Sequence, residues 1–294
     1  MYKIGIDVGG TTIKCGIVKD DKILVRLAHK TPVGDVNLAV NVTVELIQNA
    51  LKSMNLSMSD ISFIGVGLPG TVHENVVTYA NNLNWYNVPF AKLLSDKLNK
   101  DVHSDNDARC ALYAELNFGA GDSAQNVLMV TLGTGVGTAF TSNGKVHKGF
   151  MSAGGEGGIM IYRDSVWEDY ASTLALVGRV RRLKNENTEL GLYLHDKDID
   201  GKTIFDAEKQ GVTFAKEIID SHIHYIADGV VSLVNLLRPE IVIIGGAIAK
   251  EDRLIKALEK EVNERIYGGE FNPKVKVVQA QVSDAGIIGA TLIE

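Results

Sequence analysis

The stretch Ile4-Gly5-Ile6-Asp7-Val8-Gly9-Gly10-Thr11-Thr12-Ile13-Lys14-Cys15-Gly16-Ile17 reads as an apolar strand, a Gly/Thr loop and a second strand. The same plan returns at Val127-Leu128-Met129-Val130-Thr131-Leu132-Gly133-Thr134-Gly135-Val136-Gly137-Thr138-Ala139-Phe140. An internal repeat of this kind constrains the whole fold. Two similar halves, each with a hairpin and a phosphate-sized loop, would leave a cleft between them.

Working outward from the first copy, a third strand is expected at Lys22–Ala28 after the Asp20-Asp21 break. Leu38, Val42, Leu46 and Ala50 fall near a 3.6 period, so Asn37–Met54 reads as a helix. A buried-type strand, Ile61–Val66, runs into Gly67-Leu68-Pro69-Gly70, and Ala91–Lys97 looks helical. Val102–Ser104 reads as a short strand, and Ala108–Leu116 as a helix of good formers. Beyond the second copy come helices at Ser172–Leu183 and Thr213–Leu237 and a strand at Ile241–Ile244. A Gly245-Gly246 break, a helix at Leu254–Ile266, a strand at Val275–Val278 and the segment Ala285–Leu292 complete the chain.

Composition limits what these halves do. Of 294 residues, 45% are hydrophobic and 22% charged, which supports a packed core. The 30 glycines are many for this length, while prolines number only 5. They follow no Gly-X-Y period and sit between aliphatic runs, which excludes collagen and a disordered linker. Tight turns or close approach of the backbone to a ligand remain. A net charge of −6 argues against a nucleic-acid partner. No apolar run reaches membrane-spanning length, and the N-terminus lacks a signal-peptide layout, so neither a membrane nor secretion is expected. Cys15 and Cys110 alone make no disulfide scaffold or zinc cluster. The expectation is a cytoplasmic, reduced protein.

Each glycine loop has two readings. Gly65-Val66-Gly67-Leu68-Pro69-Gly70 matches the dinucleotide pattern by letter, but that pattern needs a helix opening on its glycines. Pro69 and the β-rich residues beyond it argue instead for a strand-end turn or a sugar-contacting loop. Gly133-Thr134-Gly135-Val136-Gly137 lies between strands, either as an ordinary turn or as a nest of amides facing phosphate. The matching loop Asp7–Thr12 favours phosphate, since it adds hydroxyls, the Asp7 carboxylate and Lys14. Mg·ATP needs donors for its phosphates and an oxygen anion near its metal. Gly245-Gly246 either closes a strand–helix connection or lets a flat ring approach the backbone. No GxxxxGK[ST] segment occurs, which disfavours a P-loop enzyme.

Taken in order, several segments resemble the ROK family of sugar kinases and repressors in the actin-like ATPase superfamily. They are Asp7-x-Gly9-Gly10-Thr11-x-x-Lys14, Gly67-x-Pro69-Gly70, Asn106-Asp107-Ala108, Leu132–Gly137, Gly155-Glu156-x-Gly158, Ile244–Gly246 and Asp284-Ala285-Gly286-x-Ile288-Gly289. The resemblance spans nearly the whole chain. It implies an α/β, actin-like (ribonuclease H-like) ATPase fold, two similar domains around a cleft. The expected division is 1–115 and 116–294, with the last helix, about 285–294, packing back on the first domain. Family repressors carry an N-terminal helix-turn-helix, whereas here the resemblance begins at Tyr2, so a kinase is expected.

Carried over by position, Asp107 resembles the catalytic base and Asn106 a sugar-hydroxyl ligand. Gly70, Asn82, Glu156 and Glu168 resemble further sugar contacts. Asp7, Gly9, Gly10, Thr11, Thr12 and Lys14 resemble one side of the nucleotide site. Thr131, Gly133, Thr134, Gly135, Gly245 and Gly246 resemble the other, and Asp7 would hold Mg²⁺ through water. Each has a plainer reading when taken alone. Asp107 suits the first turn of any helix, and Glu168 suits a solvated surface. His222 and His224 read as surface or packing residues, and Cys110 as a small core residue. The implied reaction is ATP-dependent phosphorylation of a hexose at its 6-hydroxyl. Glucose comes first because Asn81-Asn82-Leu83-Asn84-Trp85 looks like the loop of glucokinases in the family. N-acetylmannosamine and β-glucosides are the alternative substrates, polyphosphate is the alternative donor, and a non-catalytic sugar sensor is the alternative class. Homodimers are common among similar kinases.

One segment departs from the family. Zinc-containing members have a histidine where this chain has Ile159, and a cysteine-rich run where it has Arg163-Asp164-Ser165-Val166-Trp167-Glu168. That run offers no thiolate or imidazole for a tetrahedral site. Metal analysis of the purified protein is therefore expected to find no structural zinc; one zinc per chain would contradict the reading.

Overall fold

Both quoted stretches fold as β-hairpins, and each hairpin opens a five-stranded sheet. The computed structural model describes residues 1–183 and 189–293. The chain divides into two compact units. One comprises Met1–Ser123, Val146–Gly155 and Gln281–Glu294; the other comprises Ala124–Lys145 and Glu156–Ala280.

In the first unit, β1 (Tyr2–Val8), β2 (Thr12–Lys19) and β3 (Lys22–Lys30) form an antiparallel meander. Helix α1 (Val36–Ser53) follows, started by the Asp35 side chain accepting from the Leu38 amide at 2.9 Å. Its buried Ala39, Thr43, Leu46, Ile47 and Ala50 keep the helical period and cover the sheet. Then come β4 (Ile61–Leu68), the small three-stranded sheet β5 (Thr71–His73), β6 (Val76–Ala80) and β7 (Trp85–Val88), and α2 (Phe90–Leu98). Strand β8 (His103–Asn106) leads directly into α3 (Asp107–Phe118). The main sheet has the order β3-β2-β1-β4-β8, and β1, β4 and β8 run parallel.

The second unit repeats that order with β9 (Val127–Leu132), β10 (Val136–Ser142) and β11 (Lys145–Val146). A hairpin of β12 (Ile161–Tyr162) and β13 (Ser165–Val166) precedes α4 (Glu168–Ala171), α5 (Thr173–Leu183), α6 (Glu189–Leu194), α7 (Gly201–Lys209) and α8 (Thr213–Leu237). Strand β14 (Ile241–Gly245), helix α9 (Asp252–Arg265) and β15 (Lys276–Gln279) complete the sheet order β11-β10-β9-β14-β15. All five residues of β14 are buried, as a central parallel strand requires. Each unit has its own core, around Ile6, Val66, Ile47, Trp85 and Phe90 in the first and Leu128, Ile244, Trp167 and Ile226 in the second.

The first unit extends past residue 115 because α3 continues to Phe118 and the segment to Ser123 stays with it. Helix α10 (Ala285–Ala290) belongs to the same unit, packed on α3, β1 and β4; residue 294 lies outside the described residues. Glycine makes that seat. A Cβ on Gly5 would stand 1.9 Å from the Ile287 carbonyl oxygen, and one on Gly65 1.8 Å from that of Ala290. On the helix itself, a Cβ at Gly289 would stand 1.6 Å from the Cys110 carbonyl oxygen. Part of the glycine surplus therefore serves helix packing rather than ligands. Gly289→Ala should destabilise the fold by at least about 2 kcal/mol in urea unfolding, because overpacking outweighs the helix preference for alanine. Unchanged or raised stability would contradict this seat.

Candidate functional site

In the first unit the site residues stand where parallel strands end. Asp7 is the penultimate residue of β1 and pairs in register with Gly67 of β4. The Gly67 side of β4 also faces the start of α3: a Cβ there would lie 3.6 Å from the Asp107 Cα. Asp7 and Asp107 thus flank one glycine. Both carboxylates, with Asp105, act on the buried Cys110 thiol, whose pKa is pushed well up by burial first and by these charges next.

Lys14 donates to Asp7 Oδ2 at 2.8 Å across the hairpin. The turn between them is fixed by its own backbone, with Gly9 N donating to Thr12 O at 3.0 Å. Thr31 closes the turn from outside, its Oγ1 donating to Gly9 O at 2.6 Å and its amide to Thr11 O at 3.0 Å. Asn82 stands beside Gly10, its Cβ 3.5 Å from where a glycine Cβ would be.

Asn106 caps α3 through Oδ1, which accepts from the Arg109 amide at 3.1 Å. Its Nδ2 donates to Gly70 O at 3.0 Å, strapping the strand-end turn to the helix start. Gly70 itself has φ +76°, and a side chain there would meet the Tyr79 carbonyl oxygen at 2.1 Å. Asp107, half-buried, follows at the first helical position, where the dipole favours a negative charge. One of its oxygens, Oδ1, accepts from the Ala108 amide at 2.8 Å.

Beneath this turn lies a network that the motifs did not announce. Asp105, 3% exposed, accepts from Arg109 Nε at 2.6 Å, Lys148 Nζ at 3.0 Å, the Tyr113 hydroxyl at 2.9 Å and the Asn106 amide at 2.7 Å. Arg109 passes on to the carbonyl oxygen of Ser152 at 3.2 Å. The segment Val146–Gly155 is thereby fastened to the first unit. Burial works to raise the Asp105 pKa, but Arg109, Lys148 and the Asn106 amide hold it below the ordinary value. The Asp105 to Arg109 spacing is a legible helix-side pair; Lys148 carries no local signal.

The second unit gathers its own group. Thr131 and Gly137 face each other across the hairpin as Asp7 and Lys14 do in the first, so the ion pair has no counterpart there. The turn closes through Gly133 N to Gly135 O at 3.0 Å. Helix α5 starts on the same loop: the Leu174 amide donates to Gly133 O at 3.2 Å and Thr173 Oγ1 to Leu132 O at 3.1 Å. Glu168 lies against this loop, accepting from the Val136 amide at 3.1 Å, and a Cβ on Gly135 would meet its Oε2 at 2.4 Å. Burial first, and Asp169 with it, raises the Glu168 pKa, opposed by the Val136 amide. Exposed Glu156 precedes a turn pinned to β10 by the Gly157 amide donating to Thr138 Oγ1 at 2.8 Å. Gly245 pairs with Thr131, and Gly246 at φ +101° lies against the Leu132 carbonyl. A 3₁₀ turn, Ala247–Lys250, rather than an α-helix follows directly. Thr134 is exposed at the loop tip.

Arg163 sits among the rings of Tyr162, Tyr170 and Tyr225 at 4.9–5.6 Å. Tyr162 donates to Asp228, and Trp167 Nε1 to Tyr225 O at 2.8 Å. His222 is a core residue, fully buried. A magnesium ion fits the Asp7 position on donor chemistry, since a carboxylate is a hard oxygen ligand. The Gly286 backbone lies close to that carboxylate, where an added Cβ would stand 2.8 Å from the Asp7 carboxyl carbon.

A family model described as "ROK family" matches residues 3–294. A glucokinase of Thermotoga maritima is 31% identical over 99% of this chain and 96% of its own. A glucokinase of Streptomyces coelicolor is 30% identical over 98% of this chain and 95% of its own. The crystal structure of a ROK family glucokinase from Streptomyces griseus, in complex with glucose and AMPPNP, superposes with a TM-score of 0.88. It is 28% identical and covers 99% of this chain and 98% of that one. The fold is thus of the actin-like ATPase class, present in two similar halves.

If Lys148 holds Asp105 as an anion, Lys148→Met should lower stability at neutral pH. Asp105 has a depressed native pKa, so its contribution is present above the unfolded value of 3.8 and lost as pH falls through the native one. The gap between variant and parent should therefore close in acid. A gap independent of pH in chemical unfolding would contradict the ion pair.

Proposed function

The chain belongs to the ROK family, and from that premise we propose that it transfers the γ-phosphoryl group of ATP to the 6-hydroxyl of a hexose, glucose first. The observation that carries the reading is the placing of Asp107 and Asp7 both beside Gly67. One carboxylate then serves the sugar and the other the phosphate end of the nucleotide.

Phosphoryl transfer demands positioning and charge stabilisation more than a strong base. In this proposal Asp107 accepts a hydrogen bond from the attacking hydroxyl and takes its proton as the bond to phosphorus forms. Asn106, Glu156, Glu168, Asn82 and the backbone at Gly70 orient the other hydroxyls. The turns Gly9–Thr12 and Gly133–Gly135, with Thr131 and Lys14, present amides, hydroxyls and one cation to the phosphates. Gly245 and Gly246 give the adenosine a side-chain-free approach. Mg²⁺, when bound, supplies charge neutralisation on the phosphates, with Asp7 as its water-mediated ligand. We place the reaction in the cytoplasm.

The two glucokinase relatives support glucose as the first substrate, ahead of N-acetylmannosamine and β-glucosides. An ADP-release screen across these sugars should give the highest kcat/KM with glucose and ATP. Asp107→Asn should cut kcat about a thousandfold while sparing sugar binding and thermal stability. Undiminished turnover would remove the base, and no ADP with any sugar would favour a sensor.

A further inference from the structure

Away from the residues assigned to sugar and nucleotide, the second unit has a groove between α5 and α8. Two adjoining cavities of about 370 and 330 Å³ share Arg179, Arg182 and Tyr225 as walls. Arg179 and Arg182 are one turn apart on α5, and Phe214, Ile218, Ser221 and Tyr225 recur along one face of α8.

Two carboxylates line this groove, yet among the described residues its arginines hold no ion pair. Arg179 donates to the Tyr170 carbonyl oxygen at 3.0 Å and to His222 Nδ1 at 2.8 Å, and stacks over the Tyr225 ring at 5.1 Å. All three partners are neutral, because burial and Arg179 itself push the His222 pKa down to about 3. Buried Arg179 Nε and His222 Nε2 have no hydrogen-bond partner among the described residues. Burial first, then the proximity of Arg182, lowers the Arg179 pKa, with Tyr225 acting the other way. Glu217 and Asp169 line the two cavities, yet among the described residues neither forms an ion pair with these arginines. Asp169 instead accepts from Ser165 Oγ. A partly buried cation that holds no ion pair and has a second cation beside it is stabilised by an anion placed against it.

We propose that this groove is a second ligand site, which binds a phosphomonoester. Two guanidinium groups a helical turn apart match the several oxygens of one phosphoryl group. Phe214 and Ile218 offer an apolar floor for the carbon frame, and Ser221 offers an acceptor for a hydroxyl group. The volume lies within the roughly 300–1,000 Å³ of small-molecule sites. The choice of ester rests on the kinase reading, since a sugar kinase releases this class of compound; the unpaired guanidinium groups do not depend on it. The location also gives the site a line to the catalytic loops. Helix α5 carries both arginines, and its first turn holds Leu132 and Gly133 by hydrogen bonds.

Calorimetric titration of the full chain with glucose 6-phosphate tests the proposal, run with glucose and a non-hydrolysable ATP analogue already saturating. One equivalent should bind to the parent protein, and Arg182→Gln should weaken it by at least about tenfold. Arg182 is exposed, so that variant keeps the core intact even if Arg179→Gln does not fold. Glu217→Gln, which removes a negative charge from the groove, should tighten binding. Inorganic phosphate, titrated alongside, separates the free anion from the ester: binding of phosphate without the ester would overturn the assignment. So would equal affinity in Arg182→Gln, or loss of the ester signal in the presence of the analogue. Failure of the kinase reading would appear in ADP release, which this titration does not use.

Discussion

A carboxylate with almost no exposure, Asp105, holds the first unit's site together. Removing either member of a buried ion pair typically costs about 3–5 kcal/mol, because the other charge is left stranded. Here three charges also do geometric work. Asp105 is the penultimate residue of β8, Arg109 lies in the first turn of α3, and Lys148 comes from a segment more than forty positions along the chain. The Asn106-Asp107 turn is caught between them. A base that must meet a hydroxyl within hydrogen-bond reach gains from such fixing, since its geometry is set before substrate arrives.

The repeat gives both units one plan. Both sheets share one order, and both place a hairpin turn beside the end of a parallel strand. What differs is what fills the turn. The first copy carries a carboxylate and an ammonium group across the hairpin; the second carries Thr131 and Gly137, with Glu168 tucked under Gly135. The β12–β13 hairpin is held by the Arg163–tyrosine stack and the buried Trp167.

Much of this was legible in the sequence, for local reasons. The hairpins announced themselves through Gly/Thr breaks between apolar runs, and Thr213–Leu237 through its long period. The Gly65–Gly70 pattern was correctly set aside as a dinucleotide site, for β5 rather than a helix follows it. Other features were hidden because they depend on distant partners. The small sheet β5–β7 has strands of three to five residues, too short for a clear alternation. Nothing near Lys148 points to Asp105, and nothing near Gly5 or Gly65 points to α10. His222, on a helix with polar neighbours, gave no sign that it is wholly buried.

The central claim is that these motifs set a sugar 6-hydroxyl against Asp107 for attack on ATP. Proton–phosphorus correlation NMR of the product formed from glucose and ATP tests it most directly. The account predicts a single phosphate ester whose phosphorus couples to the two protons on carbon 6. Coupling to the anomeric proton instead, or release of inorganic phosphate without any ester, would contradict it.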